Sequence, residues 1–273
     1  MSRLGVCSWS LQPDSPSDLA SKVVECGLKY VQLALDPIRD GSWGLGETVR
    51  SLDAKGVSIV SGMWAPARED YSTLASIRET GGIVPDETWG ANLAAARDVA
   101  RIAAALKLPL VTFHAGFVPE HDARLGDSTL VDRLRQLADV FGDEGVRLGL
   151  ETGQEHAPTL MLLMSCLEGT GIGVNFDPAN LILYGMGNPI PSLALLRRHV
   201  MQVHIKDALP SDTEGAWGSE VPVGDGQVDW TSFFDLIDGL SIDCVIEREA
   251  GASRVDDVRR AAGVVISRRK VLA

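Results

Sequence analysis

Short apolar runs alternate with longer helical segments along the whole chain, and few folds accept that order. The runs are Leu4–Trp9, Tyr30–Leu35, Val57–Trp64, Leu110–Phe113, Arg147–Glu151, Gly173–Asp177, Val200–Lys206 and Cys244–Glu247. Between them lie stretches with helical spacing and plausible caps: Ser17–Cys26, Thr88–Leu106, Ser128–Phe141, Thr159–Leu167, Pro191–His199, Trp230–Leu240 and Val255–Arg268. Gly27, Gly56, Gly145 and Gly169 stand where helices end, the residue type that tolerates a left-handed turn. Strands alternating with helices through right-handed crossovers build a parallel sheet. Eight such units in 273 residues predict an α/β fold of the (β/α)8 TIM barrel type, a single domain over residues 1–273. An open doubly wound sheet is the competing arrangement, but no GxGxxG follows the first run.

Alternation within the runs then sorts their side chains. In the seventh run Met201, Val203 and Ile205 oppose Gln202, His204 and Lys206; in the sixth, Val174 and Phe176 oppose Asn175 and Asp177. In the fifth, Leu148 and Leu150 oppose Gly149 and Glu151; in the fourth, Val111 and Phe113 oppose Thr112 and His114. One choice of face sends every aliphatic outward to the helices and every polar group inward. Glu247 and Glu249 share a face of the eighth run. Four consecutive strands therefore end in Glu151, Asp177, His204 and Glu247, at the barrel end where active sites form.

Any one strand-end acid is ordinarily a cap or a turn residue, and a lone strand histidine ordinarily a hydrogen-bonded core residue. Four in succession are harder to explain that way. Three carboxylates cannot all stay ionised at one mouth without a counter-charge, and Lys206 supplies one positive charge at most. A single divalent cation is the economical answer. Oxygen ligands with one imidazole suit Mn²⁺ or Mg²⁺, and accommodate Co²⁺ or Zn²⁺. The competing arrangement is a salt-bridge layer centred on Lys206 and Arg248.

Charge narrows the partners. Lys plus Arg number 25 against 37 Asp plus Glu, a formal charge of −12, which repels nucleic acid. No segment reaches the ~18 apolar residues of a membrane span. The first residues, MSRLGVCSWS, lack the apolar core of a signal peptide, so a cytoplasmic location is expected. Cys7, Cys26, Cys166 and Cys244 form no CxxC pair and read as packing residues.

LGLETG, VNFDPANLILYG, VHIKDA, VPVGDGQVDW and VIEREAG follow one another across the C-terminal half, with FHAGFVP as a weaker echo earlier. In that order they resemble the xylose isomerase-like TIM barrels, the sugar (phosphate) isomerase/epimerase group that includes ketose 3-epimerases and relatives of endonuclease IV. The resemblance implies that Glu151, Asp177, His204 and Glu247 bind one divalent metal, often manganese, and that Glu151 and Glu247 double as the acid/base pair. It allows homo-oligomers, since relatives form dimers and tetramers. Many relatives carry His where this chain has Asn180. The nuclease branch needs a multi-metal cluster with more histidines; only His114 and His204, among His114, His121, His156, His199 and His204, fall on predicted strand ends. DNA repair is therefore not expected.

The expected chemistry is proton abstraction beside a carbonyl of a sugar or keto-sugar, with Glu151 and Glu247 flanking the reacting carbon. Trp64, His114, Glu155, His156, Asn180 and Lys206 are the candidate substrate-binding residues, with Trp9 able to line a ring face. The loop 209–222 carries no Lys or Arg and three acids, and Arg248 and Arg254 are expected to pair with acids, which favours an unphosphorylated substrate. A lyase or dehydratase acting on a keto-polyol and a non-catalytic sugar-binding protein are the alternatives.

Overall fold

A computed structural model describes residues 2–119, 125–213 and 215–268; His121 and Glu214 fall outside them. Eight parallel strands close into a barrel: β1 Leu4–Cys7, β2 Tyr30–Ala34, β3 Ser58–Met63, β4 Leu110–Phe113, β5 Arg147–Glu151, β6 Gly173–Phe176, β7 Val200–Ile205 and, after the two-stranded antiparallel hairpin β8 Asp207–Leu209 and β9 Ser219–Val221, β10 Asp243–Ile246. Neighbours in sequence are neighbours in the barrel, and β10 closes it against β1. The predicted runs all form strands, with ends shifted by a residue or two. Ser8 and Trp9 differ more, turning away in a short 3-10 helix, Ser8–Leu11.

Helices over Pro16–Glu25, Asp86–Ala105, Thr129–Gly142, Ala157–Cys166, Pro189–Leu196, Trp230–Ile237 and Arg254–Arg268 match the predicted ones. Ser15 and Ser128 cap two of them through their side-chain oxygens. Helices Asp36–Arg39, Leu45–Asp53, Leu74–Thr80 and Pro178–Leu183 and the β8–β9 hairpin are additions. Each is under ten residues, too short for an apolar period to stand out. No helix among the described residues is long and apolar enough to cross a membrane.

The main core lies between barrel and helices. Val174, Phe176, Val203 and Ile205 are fully buried there, and Phe176 meets Phe233 of helix Trp230–Ile237 with ring centroids 6.3 Å apart. Burying each such side chain contributes about 1.5–3 kcal/mol. Beside a small apolar cluster of Cys7, Val60 and Val245, much of the barrel interior is polar, where branched aliphatic side chains are the usual filling. Ser61 donates to Gln202 (2.7 Å), Gln202 to Asn175 (3.2 Å), and Gln32 to Thr112 (2.7 Å), every one of them buried. This amide and hydroxyl layer forms the floor beneath the strand-end acids.

Candidate functional site

Asp177 follows β6 and begins helix Pro178–Leu183. Pro178 cannot donate to the ladder, and its fixed φ suits the first helical turn, so the strand stops there. Asp177 Oδ1 caps that helix, accepting from the backbone N–H groups of Ala179 (2.8 Å) and Asn180 (3.0 Å). Its other oxygen, Oδ2, is buried without a hydrogen-bond partner and lies 3.5 Å from His204 Nδ1. The same nitrogen stands 3.3 Å from Glu151 Oε1 and 3.3 Å from Glu247 Oε2. One ligand atom from each of Glu151, Asp177, His204 and Glu247 lies within 4.8 Å of every other, and all four residues are buried.

The opposite imidazole nitrogen is held by two side chains of the barrel floor. His204 Nε2 is 2.8 Å from Gln32 Oε1, and Gln32's amide nitrogen is committed to Thr112 and to the carbonyl of Gly62 (3.4 Å). Asn175's amide nitrogen lies 3.1 Å from the same Nε2, so Gln32 and Asn175 together orient the ring with Nδ1 towards the carboxylates. Burial opposes a charge on the imidazole, but Cys7, Glu151 and Glu247 outweigh it and raise His204 well above its ordinary value.

Electrostatics at this point are severe. Burial pushes the Asp177 carboxyl up to about 6, against the attraction of Lys206 and His204. Burial also opposes ionisation of Glu247, but Lys206 and His204 outweigh it and hold that group well below the usual carboxylate range. Glu151 is lowered as well, desolvation being overcome by His114 and His204. Lys206 is desolvated too, yet Glu247, Glu249 and Asp177 hold it well above its ordinary value.

Two species can sit among such groups: a proton on His204, or a metal cation. The orphaned atoms distinguish them. Glu151 Oε2, Asp177 Oδ2 and His204 Nδ1 are all buried without a hydrogen-bond partner. A proton would satisfy one or two of them. A divalent cation takes a lone pair from each, so the residues fit a metal ion, and an oxygen-rich donor set with one imidazole suits a hard or borderline one.

A cavity of ≈ 440 Å³ opens above this cluster, within the size range of small-molecule sites. Trp9, Trp64, His114, Asn180, Lys206 and Glu247 line it. Trp9 donates its Nε1–H to Glu247 Oε1 (2.8 Å). Trp64 is fully buried against Phe113, with Nε1 unpartnered, and His114 Nε2 lies 3.7 Å from Glu151 Oε1. Asn180 bridges two functional groups: its amide donates to Glu151 Oε1 (3.1 Å) and its oxygen accepts from Lys206 (3.2 Å).

Glu155 and His156 do not line the cavity. Gly153, with φ +145°, turns the chain off the barrel axis so closely over Asn180 that an added Cβ would lie 2.5 Å from Asn180 Cβ. Beyond that turn, burial raises Glu155 to about 8, and His156 Nδ1 contacts the carbonyl of Met186 (2.9 Å). Sequence reasoning missed Gln32, Glu69, Tyr71, Tyr184 and Trp217. Gln32 had a signal, a polar residue on the inward face of an otherwise apolar run. The other four stand on loops or a short helix with no such period.

A closed eight-stranded parallel barrel with this cluster at the C-terminal strand ends defines a protein class, and the chain belongs to it: a family model for xylose isomerase-like TIM barrels matches residues 20–266. Among solved structures it is similar to a xylose isomerase domain protein from Planctomyces limnophilus, at 28% identity and TM-score 0.84, with 92% of each chain covered. It is also similar in fold to the probable 3-DHS dehydratase AsbF of Bacillus anthracis (16% identity, TM-score 0.73, 98% of this chain and 100% of that one). A third is a D-allulose 3-epimerase from Methylomonas sp. in complex with D-allulose (14% identity, TM-score 0.72, 98% and 97%). No curated protein matches the chain.

Proposed function

We propose that this protein is a divalent-metal-dependent isomerase or epimerase of a keto-sugar, with Mn²⁺ as the first candidate ion. The observation that carries the reading is the convergence of four buried ligand atoms within 4.8 Å beneath a cavity of sugar-accommodating size. Glu151, Asp177, His204 and Glu247 would hold the ion. Bound there, a divalent cation supplies Lewis acidity towards the negative charge that builds on a carbonyl oxygen during enolisation.

The protein's own groups account for the proton transfers. Glu151 and Glu247 come from β5 and from the end of β10, strands separated in the barrel by β6 and β7, so they approach a bound sugar from different sides. Glu151 has an oxygen, Oε2, free of hydrogen bonds and suited to take a proton. Glu247 is held at both oxygens, by Trp9 and by Lys206 (2.9 Å), which fixes its direction. A proton taken on one side and returned on the other gives an epimer; returned to the neighbouring carbon it gives an isomer. Trp9 and Trp64 offer flat apolar walls, and His114 a polar edge, for holding the sugar.

The test is a metal-replete screen of ketoses, 3-keto sugars and inososes in D₂O, followed by NMR. Deuterium entering a carbon beside the carbonyl, with no change in composition otherwise, is the expected result. Loss of water or of a fragment would move the assignment to a lyase, and absence of exchange into any bound sugar would leave a binding protein.

Gln32 tests the metal reading independently of substrate. Gln32→Leu removes the oxygen that lies 2.8 Å from His204 Nε2 and helps orient the ring, and the expected result is a Mn²⁺ affinity about 10- to 100-fold weaker by calorimetry. Gln32→Glu, which keeps an acceptor oxygen, should restore it. Equal affinities in all three proteins would detach Gln32 and His204 from metal binding.

A further inference from the structure

Lys206 is the one lysine or arginine lining the cavity among the described residues, and its hydrogens are already used. They go to Asn180 Oδ1 (3.2 Å), Glu247 Oε2 (2.9 Å) and Glu249 Oε2 (2.6 Å). The first two partners are buried with it. Glu249 is different: its side chain is 54% exposed, at the open side of the cavity. The other nearby cations are withheld as well. Arg248 is tied to Glu220 (2.7 Å) and Asp257 (2.9 Å), and Arg254 donates to the backbone carbonyls of Arg248, Glu249 and Gly251.

Across the cavity stands Glu69, which accepts from the backbone N–H of Gly82 (2.8 Å) and from the Tyr71 hydroxyl (3.2 Å). It pairs with no lysine or arginine among the described residues. Asp36, also in the wall, is neutralised by Arg39 at 2.7 Å. Four carboxylates therefore line a cavity holding one lysine, and that lysine is engaged. Unpartnered donors remain for an uncharged guest: Trp64 Nε1 is fully buried in the wall without an acceptor.

We propose that Glu249 is a specificity-determining residue: by occupying Lys206 at the cavity mouth, it closes the cavity's lysine to anionic groups, so the site takes uncharged keto-sugars and refuses phosphorylated or carboxylated ones. Glu69 adds a second negative charge that a phosphate would have to approach. The neutral arm rests on the keto-sugar reading above; the refusal of anions does not. An anion entering the wild-type cavity must displace Glu249 from Lys206, leave that acid without compensation and sit in a cavity that Glu69 also lines.

The experiment compares Mn²⁺-loaded wild type, Glu249→Gln and Glu249→Asp, with D-fructose, D-fructose 6-phosphate and inorganic phosphate as probes. Three tryptophans in the cavity wall, Trp9, Trp64 and Trp217, give an intrinsic fluorescence signal for binding. Wild type should prefer fructose over its phosphate by at least about tenfold. Glu249→Gln should reduce that preference about tenfold and tighten inorganic phosphate by a similar factor, because Lys206 is released. Glu249→Asp, which keeps the charge, should retain the wild-type preference. Direct binding of phosphate to the metal appears equally in all three proteins and cancels from the comparison. If fructose binds none of them but phosphate tightens in the Gln variant, the keto-sugar reading fails and the filter stands. A wild type that binds the phosphate as well as the free sugar, or a Gln variant with an unchanged ratio and unchanged phosphate affinity, overturns the proposal.

Discussion

Replacing Glu151 with Gln is expected to reduce turnover of the screened substrate by about 10²–10⁴-fold, the usual contribution of a positioned base, in a protein that still folds. The amide keeps one oxygen near His204 but cannot accept a proton at Oε2. Glu247→Gln should lose activity on the same scale and be the less stable of the two. Its new amide would turn hydrogens towards Lys206 Nζ, which now sits 2.9 Å from a carboxylate oxygen in a pair whose side chains are each 2% exposed. Breaking such a buried pair costs about 3–5 kcal/mol, and Glu249 and Asn180 still hold Lys206, so the lower end is expected. Because both residues are also candidate ligands, the rates should be taken at saturating Mn²⁺ with metal content measured in each variant. Wild-type-like turnover in either variant would remove that residue from the acid/base pair.

Dialysis against EDTA should abolish activity, and Mn²⁺ should restore it. Stability offers a second readout. Cation at about 100 times its Kd adds about 2.7 kcal/mol to the folded state, a rise in Tm of roughly 5–10 °C for a chain of this size. Proton and metal compete for Asp177, whose carboxyl burial raises to about 6. Above that pH the group is ionised and ready to ligate; below it a proton must first leave. His204 is held well above its ordinary value and must also lose a proton to ligate, so Mn²⁺ affinity is expected to weaken as pH falls over a range that begins above 6 and to keep falling through about 6, while the Asp177→Asn variant binds weakly throughout. Full activity in a verified metal-free preparation would end the metal proposal.

The barrel and most of the strand-end cluster were legible because both follow from period. Alternation along each strand puts His204, Asn175 and Gln202 inside without any knowledge of neighbours. Asp177 is instructive, since its two oxygens have separate settings: Oδ1 is a helix cap, and Oδ2 faces His204. Lys206 lines the cavity, as its strand position suggests, but its hydrogens prove committed to the protein, a matter of three-dimensional pairing that no spacing encodes. The cavity rim was not legible. Glu69 and Tyr71 reach it because the chain after β3 folds back, and Trp217 because a hairpin packs near Tyr184 (ring centroids 4.7 Å apart). Glu155 and His156 follow Glu151 closely in sequence, yet the turn at Gly153 carries them away from the cavity.

The amide and hydroxyl floor has a consequence for anyone redesigning this scaffold. Ser61, Gln202, Asn175, Gln32 and Thr112 are linked through donor–acceptor partnerships. Shortening any one leaves its buried neighbour without that partner, a penalty of about 1–3 kcal/mol per group. Laboratory evolution should therefore find tolerated single changes around the rim, and reach the floor only through compensating doubles.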